Sequence, residues 1–317
     1  MRFHLKTACL AGSIAALGAI ACAPVVAADA AATTIKMKST GFIPEGIEYD
    51  TKNKRFLVGS LVKGTVFVVA NDGTLTPFIQ DPELKSSVGI EVDEERNRLL
   101  VPNSDSAVFG GQGAGQAKLG VYDLTTGKRL AMVDLAAVGP KDAKHFANDV
   151  TVGSDGSAYI TDTMARVIYK VDAKYNASVL VPNTFASIPQ FQFNGIVYHP
   201  SGYLLVAESV TGDLYKVPVA KPESFTKVKL PEQPVGADGI VWHPQDESLV
   251  VVRNDKSQQV IAFKSTDNWA TATVQGRGTF GSQGTTAAVN SNGVYVVQPF
   301  FADANAQPVI EHVHLSK

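Results

Sequence analysis

The chain is 317 residues long, 45% hydrophobic, with 28 Lys and Arg against 30 Asp and Glu and a formal net charge of −2. Near-neutral charge, with no Lys/Arg cluster beyond the N-terminal segment, argues against nucleic acid and anionic membranes as partners. Cys9 and Cys22 are the only cysteines and both lie in that first segment, so the rest of the chain has no disulfide and must rely on a large core, for which about 290 residues suffice.

The chain opens with a short basic run, "MRFHLK", followed by the apolar, alanine-rich "TACLAGSIAALGAIACAPVVA". Small residues at "VVA", followed by "AD", predict a secretory signal peptide over residues 1–27, cleaved after Ala27 or at the second candidate, Ala30. The run is too interrupted for a membrane span. The protein is therefore expected to be secreted or periplasmic, with no membrane insertion after cleavage. "AIAC", ending at Cys22, resembles a lipoprotein cleavage box and is the alternative. Residues 31–317 are expected to form a single domain.

A short strand-like run, "TTIKMKS" at Thr33–Ser39, comes first. Then a motif recurs: "FIPEGIEYD" at Phe42–Asp50, "SVGIEVD" at Ser87–Asp93, "FANDVTV" at Phe146–Val152, "FQFNGIVYHP" at Phe191–Pro200, "GADGIVWHP" at Gly236–Pro244, and "TTAAVNSNGVYVV" from Thr285. One register of this series reads Glu45, Val88, Asn148, Asn194, Asp238 and Thr285, with spacings of 43, 60, 46, 44 and 47 residues. Periods of this size point to a propeller. Each unit reads as short strands rich in Val, Ile and aromatics, punctuated by Gly, Asp, Asn and Pro. The fourth unit, for example, runs "GIVYH", "YLLVAES", "LYKVPV" and a strand near "FTKVKL". No stretch shows sustained helical periodicity. The fold class is all-β: a six-bladed β-propeller with four antiparallel strands per blade. The sixth unit supplies only three strands, so Thr33–Ser39 is predicted to complete the last blade from the N-terminal side and close the ring.

In a propeller the first strand of each blade lines the central channel. Glu45, Asn148, Asn194 and Asp238 then bring two carboxylates and two amide oxygens to one mouth, while Val88 contributes no donor. Unpaired carboxylates at close range repel, and a cation removes the repulsion. An all-oxygen set favours hard ions such as calcium, magnesium or manganese, and four protein ligands leave positions open for water or substrate.

"PEGIEYD", "NDVTVGSDGSAYITDT", "FNGIVYHPSGYLLVAES" and "ADGIVWHP" resemble the SMP-30/gluconolactonase/LRE-like family of six-bladed propellers, and more distantly the paraoxonases and strictosidine-synthase-like proteins. The resemblance spans the chain beyond the N-terminal segment. It implies that Glu45, Asn194 and Asp238 hold one divalent metal, that Asn148 faces metal or substrate, and that the activity is lactone ester hydrolysis, often with calcium or zinc. Two departures stand out. Phe146 occupies a position where gluconolactonase-like members often carry an Arg for sugar hydroxyls, which counts against a sugar-acid lactone. The acidic neighbours that would build a second, paraoxonase-type structural calcium site are also missing.

The second strands are predicted to end at the same mouth, at Ser60, Asn103, Asp162, Glu208, Asn254 and Gln298, as supports or substrate lining. "FGGQGAGQAK" in blade 2 is read as a mobile flap, not a phosphate loop, since no GKS or GKT follows. "VGPKDAKHFA" joins blades 2 and 3. Phe191, Phe193, Phe300 and Phe301 are candidate apolar walls. His145 is a candidate acid/base, whereas His199 and His243, in "HP" pairs, are structural. The predicted substrate-lining set is His145, Phe146, Asp162, Phe193 and Glu208.

The expected function is a metal-dependent hydrolase acting on a small-molecule lactone or similar ester, with Asp238 accepting the proton of the attacking water and Asn148 steadying the oxyanion. The alternatives are a non-catalytic propeller that binds a ligand or partner around a structural metal, and a strictosidine-synthase-like non-hydrolytic enzyme. Fold alone does not separate them.

Overall fold

The computed structural model describes residues 34–183, 192–303 and 305–317. The segment 1–27, both cysteines and Phe191 lie outside them. Six four-stranded antiparallel units follow one another around a channel. β1 (Thr34–Lys36) precedes blade 1, which comprises β2 (Ile47–Asp50), β3 (Arg55–Val58), β4 (Thr65–Val69) and β5 (Leu75–Gln80). In blade 2 the inner strand is split into β6 (Ser86–Ser87) and β7 (Glu91–Asp93), followed by β8 (Arg98–Ser104), β9 (Gly115–Asp123) and β10 (Arg129–Asp134). Blade 3 is β11 (His145–Val152), β12 (Ala158–Asp162), β13 (Val167–Val171) and β14 (Ala177–Val181); blade 4 is β15 (Phe193–His199), β16 (Tyr203–Glu208), β17 (Leu214–Pro218) and β18 (Thr226–Lys227). Blade 5 is β19 (Ala237–His243), β20 (Ser248–Arg253), β21 (Gln259–Lys264) and β22 (Thr273–Thr279), and blade 6 is β23 (Ala287–Asn290), β24 (Gly293–Gln298) and β25 (Val309–Val313).

The ring closes as the sequence predicts. β1 pairs antiparallel with β25, Ile35 opposite Ile310, and becomes the outer strand of blade 6. Ile35, Met37 and Phe42 then pack with Tyr295, Val297 and Ile310 between blades 6 and 1. Each buried side chain of this kind contributes roughly 1.5–3 kcal/mol. Five further apolar clusters fill the remaining gaps between neighbouring blades. This explains why second strands such as "YLLVAE" and "SLVVVR" are almost continuously apolar and buried. Each is covered on both faces by adjacent blades, so strict alternation is lost.

Blade 2 departs from the flap expectation. Ser106–Gly110 forms a short 3-10 turn capped by Asp105, whose side chain accepts from the Ala107 N–H. Past it, β9 runs beside β11 in a parallel pairing, Gly115 opposite His145 and Gln116 opposite Phe146. The insertion is thus tied to blade 3 by backbone pairing.

Candidate functional site

The chain approaches the channel mouth in the same way in blades 3, 4 and 5. The inner strand pairs once with its neighbour, skips register, then pairs continuously. The skips fall between Ala147 and Val150, between Phe193 and Ile196, and between Ala237 and Ile240. Asn148, Asn194 and Asp238 sit inside these bulges rather than at strand starts. A bulge turns a side chain out of the pleat, here toward the channel axis. Glu45 sits just ahead of β2, and in blade 2 the ladder breaks at Val88–Ile90.

Neighbouring blades grip the backbone of these residues. The Thr285 hydroxyl donates to the Glu45 carbonyl at 2.8 Å, joining blade 6 to blade 1. The Gly89 N–H donates to the Asn148 carbonyl at 2.8 Å, and the Thr161 hydroxyl donates to the Asn194 carbonyl at 2.7 Å. This close approach explains the glycine that follows most site residues. A Cβ on Gly46 would strike the Val88 carbonyl, and one on Gly195 the Asp238 carbonyl. Blade 3 has Asp149 in that slot. Its Oδ2 accepts from the Ile196 N–H of blade 4 at 3.1 Å and its Oδ1 from the Val150 N–H at 2.9 Å.

The side chains of the site are oriented as follows. Asn254 Nδ2 donates to Asp238 Oδ2 at 2.5 Å, and the Asn194 amide donates both to Asp238 and to Ser209 Oγ, the latter at 3.2 Å. Asn148 Nδ2 donates to Thr163 Oγ1 at 2.9 Å, while that hydroxyl donates to the Phe193 carbonyl at 2.7 Å. The Thr163 proton is thereby spent on Phe193, so Thr163 can only accept from Asn148, and the orientation of the Asn148 amide is fixed. Asn148 is 94% buried by its 6% exposure, and its Oδ1 has no hydrogen-bond partner. The free atom is an acceptor, suited to a cation and not to an oxyanion, which corrects the oxyanion role expected for Asn148.

The channel below carries acids from blades 1, 2 and 3 among apolar side chains of every blade. Glu45, Glu48, Glu91, Asn148, Asp149 and Asn194 line a 290 Å³ cavity whose walls carry no Lys, Arg or His. Burial, then Asp238 and Asp149, pushes the Glu45 carboxyl well above its usual range. Burial raises Asp238 to about 6, against hydrogen bonds from Asn254 and Asn194 that lower it. Burial likewise raises Asp149 to about 7 and Glu48 to about 8, and raises Glu91, where the Glu48 and Asp149 charges add to the effect. Glu48, Glu91 and Asp149 were missed as site residues, yet the repeat shows them. "GIE" in blades 1 and 2 aligns with "GIV" in blades 4 and 5, and "NDV" carries Asp where those four blades carry Gly. Among the described residues no three His, Cys, Asp or Glu side chains gather as a ligand group. The candidate donors at the mouth are therefore two carboxylates and two amides.

The predicted lining residues lie elsewhere. Asp162 is fully buried: its Oδ1 accepts from the Phe146 and Ala165 N–H groups, and its Oδ2 faces His145 Nδ1 at 2.9 Å. Glu208 is also buried and accepts from the N–H groups of Gln192, Val210 and Thr211. Both carboxylates satisfy loop backbone that would otherwise be stranded, so neither lines a substrate path. His145 is buried between Asp162, Tyr169 and the Pro140 carbonyl, which removes it as an acid/base. Phe193 belongs to the apolar core between blades 3 and 4. Phe146 is buried against Val88 and Val108 beside the mouth. Of the second-strand ends, Asn254 supports a site residue. Asn103 and Gln298 bond the Glu83 carbonyl and Glu311, and the Ser60 carbonyl accepts from Ser87 N–H. His199 stacks on Tyr203 with ring centroids 4.4 Å apart, and His243 faces Asp246, as expected of structural histidines.

No family model and no curated relative matches the sequence. Among solved structures, the major allergen Mala s 1 of Malassezia sympodialis superposes with a TM-score of 0.74 at 17% identity, covering 90% of this chain and 97% of that one. A putative gluconolactonase superposes with a TM-score of 0.62 at 15% identity, covering 89% and 92%. A gluconolactonase of Xanthomonas campestris gives 0.58 at 12% identity, covering 90% and 99%. The fold is thus that of the SMP-30/gluconolactonase-like β-propellers.

Proposed function

We propose that this protein is an exported, metal-dependent hydrolase that opens a lactone or similar ester at the channel mouth. The observation that supports this best is the buried, unpartnered Asn148 Oδ1, in the same ring of positions as Glu45 and Asp238. A free acceptor beside two acids with no basic partner fits a hard divalent cation, calcium above zinc, magnesium or manganese. Glu45, Asn148, Asn194 and Asp238 would hold it. When bound, such an ion polarises an ester carbonyl and lowers the pKa of water.

The chain's own residues supply the rest. Thr163 holds Asn148 with its oxygen free, Thr285 fixes the Glu45 backbone, and Asn254 fixes the Asp238 carboxylate. Asp238, held by Asn254 and Asn194 beside the ion's position, takes the proton of the attacking water. Water oxygen joins the acyl carbon, the acyl C–O bond breaks, and a hydroxycarboxylate and a proton leave.

The test is elemental analysis of the purified protein, chelation, and restoration of each ion singly. Lactone opening is followed by acid release, and metal uptake by thermal shift. Activity and thermal shift should fall on chelation and return with one ion, and Asn148→Leu should abolish the shift. Hydrolysis that survives both chelation and Asp238→Ala would overturn the reading. The similarity to an allergen rather than only to enzymes keeps a ligand-binding propeller as the second reading, which metal uptake without turnover of any lactone would favour.

A further inference from the structure

The repeat places a second ring at the other end of the channel. Four positions after Glu45, Val88, Asn148, Asn194, Asp238 and Thr285 come Tyr49, Val92, Val152, Tyr198, Trp242 and Val289. All six are apolar or aromatic, and all six are half-buried. The mouth ring is tighter: every member is buried except Asn194, which is half-buried. Exposure therefore rises along the inner strands, and water reaches the channel from the face opposite the mouth. The 290 Å³ cavity runs the same way, from Glu45 and Asn148 past Val92, Tyr198 and Trp242 to the exposed Pro244. A groove on that far face shares Glu91, Val92, Val152 and Tyr198 with it.

Glu48 and Glu91 stand one position inside this apolar collar, and Asp149 stands nearer the mouth. At about 3.3 Å per residue, Glu48 and Glu91 lie about 10 Å below the mouth ring, out of reach of an ion held there. Glu48 accepts from the Tyr49 N–H at 3.1 Å and Glu91 from the Val152 N–H, and the Glu48 charge acts on Glu91. Among the described residues no Lys, Arg or His lines the cavity around them, and the acids do not gather as a metal ligand group. The same cavity is headed by Asn148, 6% exposed, whose Oδ1 has no partner. The channel thus favours positive charge along its length and offers an apolar entrance to whatever carries it.

We infer that the channel binds an organic ammonium ion with an apolar body, entering from the face opposite the mouth, its ammonium between Glu48 and Glu91 and its body against Val92, Val152, Tyr198, Trp242 and Val289. The site does not depend on the hydrolase reading. The collar decides the class of ligand. A small hydrated cation would pass Val92, Val152 and Val289 without finding a ligand, and the acids beyond are too dispersed to replace its water. An alkyl or aryl ammonium instead covers the collar as it sheds water, and Tyr198 and Trp242 add the attraction of aromatic rings for a cation. An anion would meet Glu48, Glu91 and Asp149 with no counter-charge, and a neutral guest would leave those carboxylates unpaired.

The experiment titrates n-hexylammonium calorimetrically into the purified protein after chelation, with n-hexanol and hexanoate as its neutral and anionic counterparts. Hexylammonium should bind saturably, on the order of tenfold tighter than hexanol, and hexanoate should not bind. Glu48→Gln and Glu91→Gln should each weaken hexylammonium about tenfold, and Trp242→Leu about threefold. Glu95→Gln, an exposed acid in the neighbouring groove, should change nothing. Thermal melts establish that each variant is folded, and the calcium-induced thermal shift of Glu91→Gln should match the wild type, because calcium is held at the other ring. Hexanol binding as tightly as hexylammonium would reduce the channel to an apolar hole and overturn the inference. Hexylammonium binding that survives the double variant Glu48→Gln and Glu91→Gln overturns it too. A calcium shift lost in folded Glu91→Gln would make the acids and the mouth donors one metal site, which also overturns it. Each of these outcomes is read without any lactone, so the hydrolase reading can fail while this site stands, or the reverse.

Discussion

The two ends of the inner strands use the same side chain for opposite purposes. At the end away from the mouth, Asp50 and Asp93 close the hairpins of blades 1 and 2. Each is buried, and each has an arginine five residues on: Arg55 at 2.9 Å and Arg98 at 2.6 Å. Those arginines also reach the next blade, at the Leu124 and Gly156 carbonyls. At the mouth Glu45 and Asp238 are buried, and down the channel Asp149, Glu48 and Glu91 are half-buried, yet no Lys, Arg or His lines the cavity that holds Glu45, Glu48, Glu91 and Asp149. A buried acid with its partner braces the fold. A buried acid without one holds a free-energy cost that only a proton or a cation relieves. Partnership, not acidity or burial, separates structure from candidate function here.

The largest test of that contrast is activity. Asp238→Asn keeps the shape and the contact with Asn254 but removes the charge. Hydrolysis of the best lactone should fall on the order of 10²-fold or more, while the melting temperature in chelator holds or rises, because a buried unpaired carboxylate has been removed. Steady-state kinetics and a thermal melt on one preparation check both halves. A variant that loses activity only by unfolding would place Asp238 with the braces instead.

The far end should behave in reverse. Arg98→Met leaves Asp93 buried without its partner, and breaking such a pair costs about 3–5 kcal/mol. For a chain of this size that lowers the melting temperature on the order of 10 °C, with metal uptake retained in the protein that stays folded. Adding Asp93→Asn should recover part of the loss. If Arg98→Met were neutral, the distinction between braced and free carboxylates would collapse.

Much of this was legible in the sequence, for a physical reason. A propeller repeats one unit, so a position that departs from its five counterparts stands out against an internal reference. The blade count, the ring closure through Thr34–Lys36 and the mouth positions of Glu45, Asn148, Asn194 and Asp238 all follow from that register. Partnership was not legible. Asp162 and Glu208 look like mouth acids until the structure shows their oxygens filled by backbone N–H groups 2 to 16 residues away. Nor does a linear repeat show that Asn148 sits in a bulge with one amide atom committed to Thr163. The channel acids Glu48, Glu91 and Asp149 were readable by aligning "GIE", "GIV" and "NDV", but reading only one register of the series hid them.

Those channel acids give a smaller, pH-dependent test. Burial holds Glu48 at about 8, with Asp149 and Glu94 adding repulsion and the Tyr49 N–H working the other way. The folded state therefore binds the Glu48 proton more tightly than the unfolded chain, whose glutamate titrates near 4.5. The contribution is full below that value and is lost as pH rises through about 8. Thermal melts in chelator should thus decline between those limits in the wild type and decline less in Glu48→Gln. An identical slope in both would show that Glu48 shares its channel with a cation the chelator does not reach.

The smallest effect probes a mouth-side acid paired with a histidine. Asp162 raises the His145 pKa through their 2.9 Å contact; burial opposes this, and the Pro140 carbonyl and the Asp134 charge add to the rise. The folded state then holds the imidazolium more tightly than the unfolded chain. This stability is fully present below the ordinary histidine pKa of about 6.5 and is lost as pH rises through the raised folded value. That is the same sign as Glu48, with a window that opens at a higher pH, and it arises from a gained partner rather than from a missing one. His145→Gln keeps a donor toward Asp162 without the charge. It should flatten the melting profile above about pH 6.5 by a few degrees and leave the pH profile of kcat/KM unchanged, because the ring faces the loop at Pro140 and not the channel. A shifted kcat/KM profile would return His145 to the chemistry and make Asp162 its orienting partner.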